Sequence, residues 1–201
     1  GDTIDLNLVS VSGPGEFSLW NTDGIGGLNV GMASSDGIGS SDKVELITDS
    51  HQHFNYAFSA AGRYEVRVRA SGTTVLNSSL ITAEATYVFS VGESIPIGEP
   101  VTVNINQSPR RAFEGAAVEG HTDIGIGFND GAFDLHIHDE ENDIEYSTDT
   151  GMLYVSGLAR QLRGNNPNLD FIGVNAGQPV WILPSDAEVP GLLFLGFGTE
   201  E

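Results

Sequence analysis

The stretch GHTDIGIGFNDGAFDLHIHD (Gly120–Asp139) consists of two alternating segments joined by Asn-Asp-Gly. In each segment apolar and polar residues alternate, which is typical of a β-strand with one buried face. Asp-Gly is a strong hairpin signal, because both central positions of a type I′ turn require a positive φ. The sequence therefore predicts an antiparallel hairpin whose turn is Asp130-Gly131.

This turn fixes which residues oppose each other across the hairpin. Ile124 opposes Ile137, and the neighbouring pairs on that side are also apolar, so we expect this face to be buried. The same register places Asp123 opposite His138 on the other face. Three further polar side chains share that second face: His121, His136 and, at its margin, Glu140.

A second histidine window, HQH, lies earlier in the chain. His51 and His53 are two residues apart, so on a strand they point the same way. The chain has no cysteine, and imidazole nitrogens with carboxylate oxygens suit Zn²⁺ or another divalent transition metal. The candidate metal ligands are His51, His53, His121, Asp123, His136 and His138. Alternatively, the histidines line polar strand faces or bond to buried backbone, and the sequence leaves both interpretations open.

An acidic run follows the hairpin. The segment Asp139–Asp143 offers hard oxygen ligands of the type that Ca²⁺ prefers. Its spacing is not that of an EF-hand loop. The run predicts either a calcium site or an exposed acidic hairpin tip.

The charge balance excludes several classes of partner. The chain has 28 acidic and 8 basic residues and a formal net charge of −20. This argues against binding to nucleic acid and to anionic membranes, because both require a basic surface. It suits a soluble protein or a cation binder. No nucleophile elbow, P-loop or HExxH motif is present, so we expect no enzymatic activity.

The rest of the chain indicates an all-β protein with very little helix. No apolar run approaches the roughly 18 residues of a membrane-spanning helix, so we expect no membrane insertion. The only predicted helix is a short one in GLARQLRG (Gly157–Gly164). Further strands are predicted at TIDLNLVSV, EFSLW, KVELIT, HFNYAFS, RYEVRVRA, AEATYVFSV, VTVNIN, MLYVS, PVWIL and LLFLGF.

Prolines and glycines in GESIPIGEP predict a linker at residues 92–99 between two β-sandwich-like modules with antiparallel sheets. Residues 1–91 would form an immunoglobulin-like sandwich, since FSAAGRYEVRVRASG places Tyr64 just after a glycine turn. Residues 100–201 would form a second β-module that carries the GHTD/HIHD hairpin.

Several segments together resemble a known family: SVSGPGEFSLW, MASSDGIGSSD, DSHQHFNYAFSAAGRYEVRVRASGT, GHTDIGIGF and PVWILPSDAEVPGLLFLGFGTEE. They look like the choice-of-anchor M domain of bacterial surface proteins, and HFNYAFSAAGRYEVRV resembles the related repeat of actinobacterial surface-anchored proteins. The resemblance implies secretion and display at the cell surface. Some relatives are linked to metal-uptake transporters, which would suit a metal-binding role.

Carried over by motif, the family's histidine positions fall on His51, His53 and His121, with Asp123 beside them. The chain departs from the family pattern at Tyr56, where Trp is usual. It also departs at Ser185, where Gln often follows the Leu-Pro pair, and this weakens the match in that loop.

The order of the two modules is the reverse of the family order, in which the GHTD module precedes the VSGPG module. This predicts a chain cut in phase from a tandem array, or subunits that complete each other when TIDLNLVSV adds to a neighbour's open sheet edge. The expected function is an extracellular surface or fibre-forming module that self-associates through strands and meets a cell-surface partner. The alternative is a Zn²⁺-binding module for metal scavenging at the cell surface.

Overall fold

The computed structural model describes residues 3–74, 78–92, 115–117 and 119–199. Strands account for nearly all of the regular structure. They are β1 (Thr3–Ser12), β2 (Phe17–Thr22), β3 (Leu28–Ala33), β4 (Lys43–Ile47), β5 (His51–His53), β6 (Asn55–Phe58), β7 (Gly62–Thr73), β8 (Leu80–Val91), β9 (Gly115–Ala117), β10 (Gly120–Asn129), β11 (Ala132–Asp139), β12 (Ile144–Ser147), β13 (Gly151–Val155), β14 (Arg160–Leu162), β15 (Pro179–Leu183) and β16 (Leu193–Thr199). Two 3-10 helices are η1 (Gly157–Ala159) and η2 (Pro167–Ile172).

The strands form three sheets. The first has the order β4-β1-β7-β8-β13-β9, and the third has the order β14-β15-β6-β2-β3. The second, which we call the histidine sheet, has the order β12-β11-β10-β16-β5. Pairing is mostly antiparallel, while β13 runs parallel to β8 and β9, and β10 runs parallel to β16. The prediction of an all-β, mostly antiparallel, sandwich-like protein is therefore confirmed.

Strands from both sides of the predicted linker share every sheet. β5 pairs with β16, β6 pairs with β15, and β8 pairs with β13. The division at residues 92–99 therefore does not coincide with the division into sheets, because long-range strand pairing crosses it. Apart from Gly92, the linker lies outside the described residues, as does the predicted strand VTVNIN. The immunoglobulin-like assignment stays a prediction.

A shared hydrophobic core lies between the sheets. Aromatic rings form its centre, where Phe58 packs at 5.0 Å from both Tyr64 and Phe89, measured between ring centroids. The Tyr64 hydroxyl donates to the Ala60 carbonyl at 2.9 Å, which ties the ring to the preceding turn. Truncating one such buried ring to alanine typically costs about 3–5 kcal/mol.

The GLARQLRG segment is helical only over η1 and then becomes strand β14. Gln161 pairs with Val180 of β15, so tertiary pairing outweighs any local helical preference. Helix η2 was not predicted, although Pro167 at its start and Gly173 at its end are ordinary helix boundary signals. Within the described ranges, no helix has the length and apolar character that a membrane span requires.

The hairpin β10–β11 has the predicted register and turn. Asp123 pairs with His138 and Ile124 pairs with Ile137. The turn residues Asp130 and Gly131 have φ values of 50° and 86°. The buried isoleucines belong to the shared core, so the side chains opposite them form the other face of the histidine sheet. We call this the polar face.

Gly131→Ala is expected to lower the free energy of unfolding by about 1 kcal/mol, because L-residues are strained at positive φ. In the described part of the chain, no atom beyond the two adjacent residues lies within 4 Å of the added methyl group, so backbone strain alone accounts for the loss. Urea unfolding measures it. Gly24→Ala is the matched control, because its methyl group also meets open space and its φ is not positive. Equal stability of the two variants would contradict the assigned turn.

Candidate metal centre

The histidine sheet brings the two histidine windows together on its polar face. β16 lies between β10 and β5, so the windows are separated by a single strand. Across these strands Asp123 lies beside Gly196, which lies beside His53. In a neighbouring row, His51 lies beside Gly198. Residues from distant parts of the chain thus share one surface.

Two successive positions of the middle strand on this face carry no side chain, because both are glycine. A Cβ at Gly196 would lie 2.5 Å from Asp123 Oδ1 and 3.0 Å from His53 Nδ1. A Cβ at Gly198 would lie 3.1 Å from Asp123 Oδ2. The bare backbone of β16 therefore provides the space in which side chains from β10 and β5 meet.

Three donor groups converge in this space. His51 Nδ1 lies 2.6 Å from Asp123 Oδ2, and His121 Nε2 lies 3.6 Å from Asp123 Oδ1. One donor atom from each of the three residues lies within 4.8 Å of the other two. His51, His121 and Asp123 can therefore hold a metal ion.

The carboxylate of Asp123 is the most buried part of this group, with 1% of the side chain exposed. Its Oδ1 has no hydrogen-bond partner in the described part of the chain, and neither has His121 Nε2. A buried carboxylate is costly unless charge or hydrogen bonds compensate it. A cation between these two atoms would satisfy both.

His53 lies at the margin of the group. Its ring stacks on Phe194 with 3.9 Å between centroids, and the His121 ring lies 5.1 Å away. Burial lowers the pKa of His53 below its ordinary value and outweighs the raising effect of Asp123. The neutral imidazole, which is the form that binds metals, is therefore favoured near pH 7.

His136 and His138 lie on β11, on the other side of β10. They stand opposite Gly125 and Asp123 in the hairpin register. His138 Nδ1 lies 3.1 Å from Glu140 Oε1, so this ring faces the acidic turn. The structure thus places all six predicted ligands on the polar face but brings together only His51, His121 and Asp123 in one compact group. Ligation by the other three stays a prediction.

The acidic run Asp139–Asp143 does not direct its oxygens to one point. The Asp139 carboxylate accepts hydrogen bonds from the Asn142 backbone N–H at 3.1 Å and from Asn142 Nδ2 at 2.9 Å. Glu140 faces His138, and the Glu141 carboxyl packs over Gly120. Among the described residues, His51, His121 and Asp123 form the one group of three or more potential ligands whose donor atoms already lie within 4.8 Å of one another. The predicted calcium site gains no support from this geometry.

Sequence reasoning missed Gly196 and Gly198 as residues that shape the site. The signal was present in LGFGTEE, where glycine occupies alternate positions of a strand. Such a strand leaves one face bare, which often marks a close approach by other groups. The stacking of Phe194 on His53 was also missed, because it depends on the pairing of β16 with β5.

Comparison of the chain with family models, with curated proteins and with solved structures gave no match. The resemblance to the choice-of-anchor M domain therefore stays a prediction.

Gly196→Ala is expected to destabilise the metal-free protein by about 1–3 kcal/mol, the usual cost of overpacking. The reason is that the added methyl group would lie 2.5 Å from Asp123 Oδ1 and would displace it. Gly198→Ala is the control and is expected to lose less stability, because the closest contact of its added methyl group would be 3.1 Å. Chemical denaturation compares the two. A greater loss for Gly198→Ala would contradict the packing described over β16.

Proposed function

We propose that this chain is a β-sandwich module that binds a divalent transition metal, with Zn²⁺ as the ion and His51, His121 and Asp123 as its ligands. One observation carries the proposal. The buried Asp123 Oδ1 faces a buried His121 nitrogen at 3.6 Å, and neither atom has a hydrogen-bond partner in the described residues.

The distances fit a tetrahedral ion with one adjustment. Two ligand atoms on tetrahedral Zn²⁺ lie roughly 3.3–3.6 Å apart, and the His121–Asp123 distance of 3.6 Å agrees with this. The His51–Asp123 distance of 2.6 Å is that of a hydrogen bond. Metal binding must therefore displace the proton between these two atoms and separate them slightly. That proton moves to Nε2 of His51, the ring nitrogen that does not bind the ion, or to solvent.

The donor set favours Zn²⁺ over Ca²⁺ and Mg²⁺. Two imidazoles and one carboxylate suit transition metals, whereas Ca²⁺ and Mg²⁺ prefer oxygen ligands. The three protein ligands leave a fourth position for water or for His53, whose buried Nδ1 has no partner in the described residues. About half of the His51 side chain is exposed (52%), so an ion and a chelator both have access from solvent.

The ion would also act on the fold, because its ligands lie on two strands that do not pair with each other. It would join β5 to β10 across β16. A ligand that binds only the folded state adds about 2.7 kcal/mol of stability at a free concentration 100-fold above its Kd. Reversible stabilisation by Zn²⁺ is consistent with metal scavenging, since the site can be emptied and filled from solution.

Asp123→Asn is expected to weaken Zn²⁺ binding by about 100-fold or more, because it removes the only anionic ligand of the group. Calorimetric titration of chelator-treated protein measures this, and the rise in Tm with Zn²⁺ is expected to shrink.

The matched control is Asp134→Asn, which makes the same change of charge at an exposed position on β11 of the same sheet. It is expected to bind Zn²⁺ as the unmodified protein does. Equal affinity of Asp123→Asn and Asp134→Asn would reject the proposed site.

A wider role as a self-associating surface module has separate support from one sheet edge. β1 lies between β4 and β7, so TIDLNLVSV does not offer an edge to a neighbour. β14 stands at an end of its sheet, and exposed Leu158 and Leu162 lie at or beside it. Another chain can add a strand to a sheet at an edge strand that carries exposed apolar side chains. The partner we propose is a second copy of this chain. The secreted, cell-surface setting is part of this proposal and rests on composition and resemblance.

Leu162→Lys is expected to reduce self-association, because a charge on an end strand opposes strand addition. Sedimentation velocity across a concentration series measures the change. Ile25→Lys is the control, since it also replaces an exposed apolar residue but lies in a turn far along the chain from β14. Monomers at every concentration for the unmodified protein would reject the association.

A further inference from the structure

We propose that His136 and His138 form a second divalent-metal position on the β11 side of Asp123, so that the polar face holds two ions. This inference rests on the proposed function in one respect: the ion is again a transition metal. Its ligands are different residues, and the two positions can be tested separately.

The first support is the burial of His136. Its residue surface is only 7% exposed, and both ring nitrogens are buried with no hydrogen-bond partner in the described part of the chain. An imidazole always has at least one N–H donor, and its neutral form also has one acceptor. Buried polar atoms without partners are rare in folded proteins and point to a bound water or ion.

The second support is the way the ring is seated. His136 Nε2 occupies the place where a Cβ on Gly125 would be, so the ring leans from β11 over the bare backbone of β10. This repeats the arrangement over β16, where glycine makes room for Asp123 and His53. In both places a glycine allows a potential ligand side chain to extend over a neighbouring strand.

The third support is the set of donors beside His136. The rings of His136 and His138 lie 6.4 Å apart between centroids. Two imidazoles on one tetrahedral ion have centroids roughly 5–6 Å apart, so a small rotation of either ring brings both to one ion. Glu140 lies 3.1 Å from His138 and supplies a carboxylate, which gives the same donor types as the first group.

The direction of the Asp123 side chain separates the two positions. Its Oδ1 lies near Gly196 and its Oδ2 near Gly198, so its carboxylate reaches over β16 towards β5. His136 and His138 come from the opposite neighbour of β10. The first ion therefore lies over β16, and the second lies over the β10–β11 pair.

The test counts bound ions. Chelator-treated protein is titrated with Zn²⁺, and native mass spectrometry and calorimetry give the stoichiometry. The unmodified protein is expected to bind two ions, and so is the control Asp134→Asn. His136→Gln and His138→Gln are each expected to bind one ion with the affinity of the first position intact. Asp123→Asn is expected to bind one ion at the second position.

Other outcomes overturn the second position. If the unmodified protein binds a single ion and His136→Gln binds it with the same affinity, the partner of the His136 ring nitrogens is water and not a metal. A single ion held more weakly in His136→Gln means that His136 belongs to the first position. Two ions retained in both glutamine variants exclude His136 and His138 as ligands.

The two proposals fail in different ways. If Asp123→Asn still binds two ions while His136→Gln loses one, the second position stands and the first is rejected. Circular dichroism checks that each variant is folded. If His136→Gln does not fold, His138→Gln decides the question alone, since this side chain is less buried and its loss is better tolerated.

Discussion

Because Gly196 and Gly198 have no side chains, polar groups from β5 and β10 can meet on the polar face above β16. Strands that flank a common neighbour lie roughly 9.5 Å apart, which is too far for two short polar side chains to touch across ordinary residues. Over bare β16 backbone, His51 on β5 reaches Asp123 on β10 at 2.6 Å. The contact between His51 and Asp123 in the first group depends on this one gap.

The gap has an electrostatic consequence. It allows a carboxylate to be buried at the centre of a sheet in a protein whose net charge is already −20. Charge interactions strengthen as water is excluded, so an ion next to Asp123 gains more than an ion at the exposed acidic turn would gain. The acidic surface raises the local concentration of cations, while the buried group selects among them by geometry and ligand type.

Local sequence patterns predicted the hairpin, because an Asp-Gly turn and strict alternation determine both register and faces. The arrangement of β5, β16 and β10 could not be predicted in this way. Alternation tells which face a side chain takes, but not which strand lies beside it, and His51 and Asp123 are 72 positions apart. The division into two modules at residues 92–99 rests on the same kind of local pattern and stays a prediction. β8, which precedes these residues, pairs with β13, which follows them, and no local pattern in the proline and glycine cluster indicates this contact.

Strands that are early and late in the sequence pair with each other, so the folding steps that build the site occur in a definite order. β5 is synthesised early, but its partner β16 comes after every other described strand. Contacts between residues far apart in sequence form slowly, because the chain must first close a long loop. The ligands therefore assemble only when the last strand has docked. An ion that binds there does not guide the early stages of folding, and its capture instead marks the moment at which β16 has docked.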